Sequence, residues 1–167
     1  DVFALMETHF WDAEYGLYKD EFNADFSRCS DYRGQNANMH SCEALIAAFE
    51  ATGHGPFLER ALLLAHNITE RQADKADGRI WEHYTKTWEV DWEYNKNDPK
   101  NLFRPWGFQP GHHTEWAKLL LQIHQYQPQD WLVARARSLF DAVIDISWDN
   151  ENGGLYYGFA PDSRICD

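Results

Sequence analysis

No stretch of this 167-residue chain is apolar for the length a membrane span requires, and its first residues lack the pattern of a secretory signal. Basic residues are scarce: Lys and Arg number 15 against 27 Asp and Glu, for a net charge of -12, and no Lys/Arg-rich run occurs. That balance argues against nucleic acid and anionic membrane surfaces as partners. Cysteine is scarce too. Cys29, Cys42 and Cys166 are odd in number and lack metal-type spacing, which argues against a disulfide framework or a zinc site and leaves inert thiols as the expectation. Together these absences predict a soluble, cytoplasmic protein. The sequence also opens at Asp1 with no methionine, which reads as a cut.

What is present suffices for a core. Hydrophobic residues make up 44% of the chain, enough for one globular unit of this length. Aromatics are abundant, with eight Trp, eight Tyr and ten Phe, and many fall in loops. Exposed aromatic rings serve as platforms for sugars, and equally they fill space between helices.

The periodicity is helical. Residues 1 to 9 read as the tail of a helix. A helix over 38–52 is apolar nearly all round and ends at the Gly53, Gly55, Pro56 cluster, which predicts a buried inner element. Residues 57–72 form a one-sided partner, with Leu58, Ala61, Leu62, Ala65 and Ile68 opposite a charged back. After a turn at Asp77 and Gly78, residues 79–100 read as loop with short extended pieces. A second inner helix starts at or just after Gly111, and 131–146 forms a second one-sided helix, with Leu132, Leu139, Phe140, Val143 and Ile144 inward and Arg135 toward water. The run FWDAEYGLY near the start recurs as SWDNENGGLYY near the end, so the chain is built from repeats.

Polar residues interrupt the inner stripes at one place each. His40-x-x-Glu43 lies near the head of the first inner helix, and His112-x-x-Glu115 opens the second 72 residues on. The second follows a loop that cannot be helical, because Pro105 and Pro110 lack amide donors and Gly107 and Gly111 permit tight turns. An imidazole and a carboxylate one turn apart, at a helix mouth beside Arg104, Trp106 and Gln109, read as an active site. A plainer alternative is that Glu115 favours the positive end of the helix and His112 caps it. Equivalent motifs at equivalent mouths predict neighbouring inner helices facing one shared space.

Two runs are specific enough to carry a resemblance. Tyr32-Arg33-Gly34-Gln35-Asn36-Ala37-Asn38-Met39-His40-x-x-Glu43-Ala44 and Phe103-Arg104-Pro105-Trp106-Gly107-Phe108-Gln109-Pro110-Gly111-His112-x-x-Glu115-Trp116 closely resemble the N-acylglucosamine 2-epimerase superfamily. Within it the pattern is most similar to aldose–ketose isomerases of the mannose-isomerising type. The resemblance covers the whole chain and implies an all-α fold, an (α/α)6 barrel of six inner and six outer helices. Residues 1–167 would be the central portion of that single catalytic domain, about two hairpins of it, and incompetent by themselves. An arginine from the first hairpins and a second catalytic histidine near the carboxyl end have no counterpart here.

Carried over residue by residue, the resemblance matches His112 to the catalytic histidine, Glu115 to its carboxylate partner, and Asn36 and His40 to sugar-contacting residues; His40 is also a catalytic candidate as a proton relay, and Arg104, Trp106 and Gln109 in the loop are further substrate-binding candidates. The implied reaction interconverts D-mannose and D-fructose through an enediol, moving a proton between neighbouring carbons. An imidazole suits that role because its ordinary pKa is near 6.5. The mechanism requires no metal and no cofactor; the partner is a monosaccharide, and a homo-oligomer is compatible. A 2-epimerase on the same scaffold is the nearest alternative. Two others remain at this stage: a metal enzyme using His40, Glu43, His112 and Glu115 as ligands, and a non-catalytic helical-repeat binding module.

Overall fold

The structure is a computed structural model describing residues 2–166. The chain opens with a short helix α1 (Val2–Leu5) that runs into a π-helical turn over Met6–Phe10. A two-residue strand β1 (Trp11–Asp12) pairs antiparallel with β2 (Leu17–Tyr18), and β3 (Arg33–Gly34) then leads directly into α2 (Gln35–Thr52). Helix α3 (Gly55–His66) continues through a π-helical segment, Asn67–Gln72, and a 3-10 turn, Ala73–Ala76. Strand β4 (His83–Tyr84) pairs antiparallel with β3. Helices α4 (Pro110–Tyr126) and α5 (Asp130–Ser147) complete the ordered elements.

Punctuation in the sequence sets most helix ends. Gly53 closes α2 in the left-handed conformation, φ 69°, and its N–H bonds Phe49 O at 2.8 Å. Pro56 and Pro110 stand in the first turns of α3 and α4, where a missing amide donor costs nothing. Helix α2 starts three residues earlier than its apolar pattern predicts, because a tertiary partner caps it. No side chain caps this end, but the N–H of Gln35 donates to Glu82 O at 3.2 Å, just ahead of the β3–β4 pairing.

Each inner helix folds back on a one-sided outer one across a short turn, α2 on α3 and α4 on α5. The two inner helices run side by side in the same direction. Gln35 meets His112 at one end, Glu43 meets Lys118 in the middle, and Glu50 meets Tyr126 at the other. Met39, Cys42 and Ile46 of α2 pack with Trp116, Leu119, Leu120 and Ile123 of α4 in one core that reaches Leu64 of α3 and Leu139 of α5. This is the inner–outer hairpin arrangement of the (α/α)6 barrel.

Two expectations for α5 are corrected. Phe140 is exposed rather than inward. Arg135 is mostly buried and ties α5 to the preceding hairpin, donating to Thr69 O at 2.6 Å and Gly78 O at 2.7 Å. Its guanidinium satisfies carbonyls left over where α3 unwinds through π and 3-10 turns, a demand invisible in α5 itself. The recurring W-D-x-E runs are two like hairpins: Trp11 pairs with Tyr18 and Trp148 with Leu155, with Gly16 N bonded to Asp12 O and Gly153 N to Asp149 O. At Gly107, φ is 112° and a Cβ would stand 2.8 Å from Phe159 O, so glycine permits the close Phe108–Phe159 pairing that pins the loop before α4.

Candidate active site

The first turns of α2 and α4 and the loop before β4 converge on one polar cluster. Trp116, fully buried on α4, donates its indole N–H to Gln35 Oε1 at 2.7 Å. Because an indole can only donate, the Gln35 amide nitrogen must face the other way, where it donates to Glu82 Oε2 at 2.9 Å. Nδ1 of His112 lies 2.9 Å from that same oxygen and 2.9 Å from Gln35 Nε2. A bare Nδ1 would accept from the Gln35 amide but set its lone pair against the Glu82 carboxylate; the anionic oxygen is the stronger partner, so we assign the proton to Nδ1, donating to Glu82. Nε2 is then the atom of His112 left to accept a proton, on a side chain that is 29% exposed.

The electrostatics follow from this packing. Burial disfavours the charged imidazole, but the charge and hydrogen bond of Glu82, with Glu115 behind them, outweigh it and raise the His112 pKa above the ordinary histidine value. Burial likewise pushes Glu82 up, and His112, Gln35 and His83 more than reverse it, so its pKa is lowered. Glu82 is 4% exposed, and its Oε1 has no hydrogen-bond partner among the described residues.

The carboxylate bonded to His112 is therefore Glu82, not Glu115. Glu115 lies a turn deeper in α4, 3.6 Å from Lys118. Cross-helix pairs fall 75 to 77 residues apart along the seam, so His40 stands level with Glu115 while Gln35 stands level with His112. The two H-x-x-E motifs thus differ by about a turn in depth and are not equivalent positions. His40 Nδ1 is 3.6 Å from Glu43, and ligand atoms of His40, Glu43 and Glu115 all lie within 4.8 Å of one another. That trio could hold a cation, but Lys118 already supplies one, its ammonium 2.8 Å from Glu43. His112 is not part of the trio.

Asn36 is exposed on the first turn of α2, beside Gln35. The three loop candidates engage the loop itself. Arg104 lies over the Tyr32 ring at 3.9 Å and donates to Tyr94 Oη at 3.1 Å and to Glu21. Trp106 donates to Trp92 O at 2.7 Å, and Gln109 is buried with its Nε2 against Gly158 and without a hydrogen-bond partner among the described residues. His83 ties the same loop down, accepting from Tyr32 Oη at Nδ1 (2.9 Å) and donating from Nε2 to Pro105 O (2.8 Å). Adjacent to His112, His113 is fully buried, donates from Nδ1 to Gln109 O at 2.8 Å and accepts the Ile80 N–H at Nε2, 2.9 Å away. Burial pushes its pKa down to about 4, so it serves as a neutral strut.

Inner–outer hairpins with an imidazole–carboxylate pair at the inner mouths define a class, and comparison with known proteins places the chain in it. Residues 1–167 match the model of the N-acylglucosamine 2-epimerase (GlcNAc 2-epimerase) family across their whole length, and the chain belongs to that family. It is 55% identical over 167 residues to a D-mannose isomerase of Marinomonas mediterranea, covering 99% of this chain and 42% of the relative. It is 39% identical over 157 residues to a D-mannose isomerase of Thermobifida fusca, covering 92% and 39%. A crystal structure of D-mannose isomerase superposes with a TM-score of 0.97 at 55% identity, over 99% of this chain and 42% of that one. A cellobiose 2-epimerase from Bacillus thermoamylovorans B4167 shares the fold at 14% identity, with a TM-score of 0.79 over 98% of this chain and 42% of that one. The chain thus spans about two fifths of the length of these relatives. Among the described residues no helix is long and apolar enough to cross a membrane.

Proposed function

We propose that residues 1–167 supply the middle of one (α/α)6 catalytic domain that interconverts D-mannose and D-fructose. The observation that carries this reading is the His112–Glu82 pair at the mouths of two inner helices, in a chain 55% identical to a D-mannose isomerase. In the open-chain sugar His112 Nε2 takes the proton from C2, leaving an enediolate, and the proton returns at C1 while the O2 hydroxyl proton passes to O1. The aldehyde becomes a primary alcohol and C2 a ketone. In this reading His40 and Asn36, both exposed on α2, hold sugar hydroxyls, and Glu115 adds negative charge behind the imidazolium. The loop of Arg104, Trp106 and Gln109 borders the site, and a cytoplasmic location accords with a free monosaccharide as substrate.

The family's description supports a second reading. Returning the proton to the opposite face of C2 would make the same chemistry a 2-epimerisation. The test uses a chain of the relatives' full length carrying this sequence, incubated with D-mannose and followed by product analysis. D-fructose as the first product is expected. D-glucose first would favour the epimerase, and neither sugar would overturn both readings.

A further inference from the structure

Nothing in the local spacing around His112 points to Glu82, 30 residues earlier, yet the carboxylate bonded to the imidazole is its own. We propose that Glu82 is the positioning residue of this site, fixing His112 as the Nδ1–H tautomer so that Nε2 alone exchanges protons with the sugar. The inference rests on the reading of His112 as the proton-transfer group.

Three features of the geometry support it. Glu82 Oε2 receives two donors, His112 Nδ1–H and Gln35 Nε2–H, each at 2.9 Å, and the Gln35 amide is itself oriented by the donor-only indole of Trp116. The amide therefore cannot flip, and the carboxylate cannot rotate without breaking two charge-assisted hydrogen bonds. The backbone is fixed as well, since Glu82 O accepts the first amide of α2 and the adjoining residue pairs with Gly34. A group held on three elements, α2, α4 and the β4 approach, sets ring orientation better than one on the same helix. Glu115 is offset by a turn and occupied with Lys118, and His40 and Glu43 lie with it at that lower level. Of the other charged or titratable neighbours, His83 faces Glu82 but spends both ring nitrogens on Tyr32 and Pro105.

A structural carboxylate would act on folding; a positioning carboxylate also acts on the titration of His112. In a full-length chain carrying this sequence, Glu82→Gln is expected to lower kcat roughly 100-fold with KM nearly unchanged. The acid limb of kcat against pH should move to lower pH, because the neutral amide no longer favours imidazolium. Unchanged kcat, or a loss with the limb unmoved, would overturn the proposal. Should Glu82→Gln fail to fold, the wild-type tautomer decides, read by two-bond 1H–15N NMR of His112 above its pKa. Protonated Nδ1 supports the proposal, and protonated Nε2 overturns it. That spectrum stands whether or not the chain turns over mannose, so failure of the isomerase reading remains distinguishable.

Discussion

At the mouth of α4 and one turn deeper along the α2–α4 seam, an imidazole meets a carboxylate in two different settings. His112 bonds a carboxylate that is 4% exposed, at 2.9 Å, inside a network that fixes every donor. His40 stands 3.6 Å from Glu43 with their side chains 58% and 43% exposed, and a lysine shares the same carboxylate. Water screens the second pair, and such exposed pairs are worth about 0 to 1 kcal/mol, whereas a hydrogen bond to a charged group contributes roughly 1.5 to 3. The same motif letters therefore have different consequences, and what separates them is the loop that lays Glu82 over the start of α2.

A third imidazole sharpens the comparison. His113 is buried like Glu82 but lacks a carboxylate partner, and its pKa falls to about 4 where that of His112 rises. A group whose folded pKa is depressed contributes stability above its unfolded value, near 6.5, and loses it as pH falls toward 4. The expected loss is on the order of 3 kcal/mol across that window. Asp20 acts in the opposite sense: burial raises its pKa to about 7, so its contribution is present below the unfolded value and disappears as pH rises through 7. The measurement is denaturant unfolding of a full-length chain at pH 7 and pH 4.5 in an Asp20→Asn background. Equal stabilities at the two pH values would contradict a neutral, buried His113.

The smallest effect belongs to the deeper cluster. Lys118→Met removes the ammonium shared by Glu43 and Glu115, and unfolding free energy should change by less than about 1 kcal/mol. A loss of several kcal/mol would mean that this cluster is as tightly coupled as the mouth.

Much of the framework was legible because it is local. Gly53, Pro56 and Pro110 mark helix ends at their own positions, and the apolar periods of the two hairpins lie within single helices. The register between helices was not. A spacing of 72 residues between the H-x-x-E motifs invited an equivalence that the 75- to 77-residue seam does not support. Glu82 does not stand out in the sequence because its partners, Gln35 and His112, are distant along the chain; its signal is a lone carboxylate within Ile80-Trp81-Glu82-His83-Tyr84, a run otherwise built for burial. His113 lies about 100° around α4 from His112, and nothing in the helix's own sequence signals the loop that reaches it through Ile80.

The most direct test is exchange of the C2 hydrogen of D-mannose with solvent deuterium, measured by NMR for His112→Asn and His40→Asn in a full-length chain carrying this sequence. General acid–base groups contribute roughly 100- to 10,000-fold, so the first variant should lose exchange by that factor while the second retains it at a reduced rate. Near-wild-type exchange in His112→Asn would show that another group moves the proton.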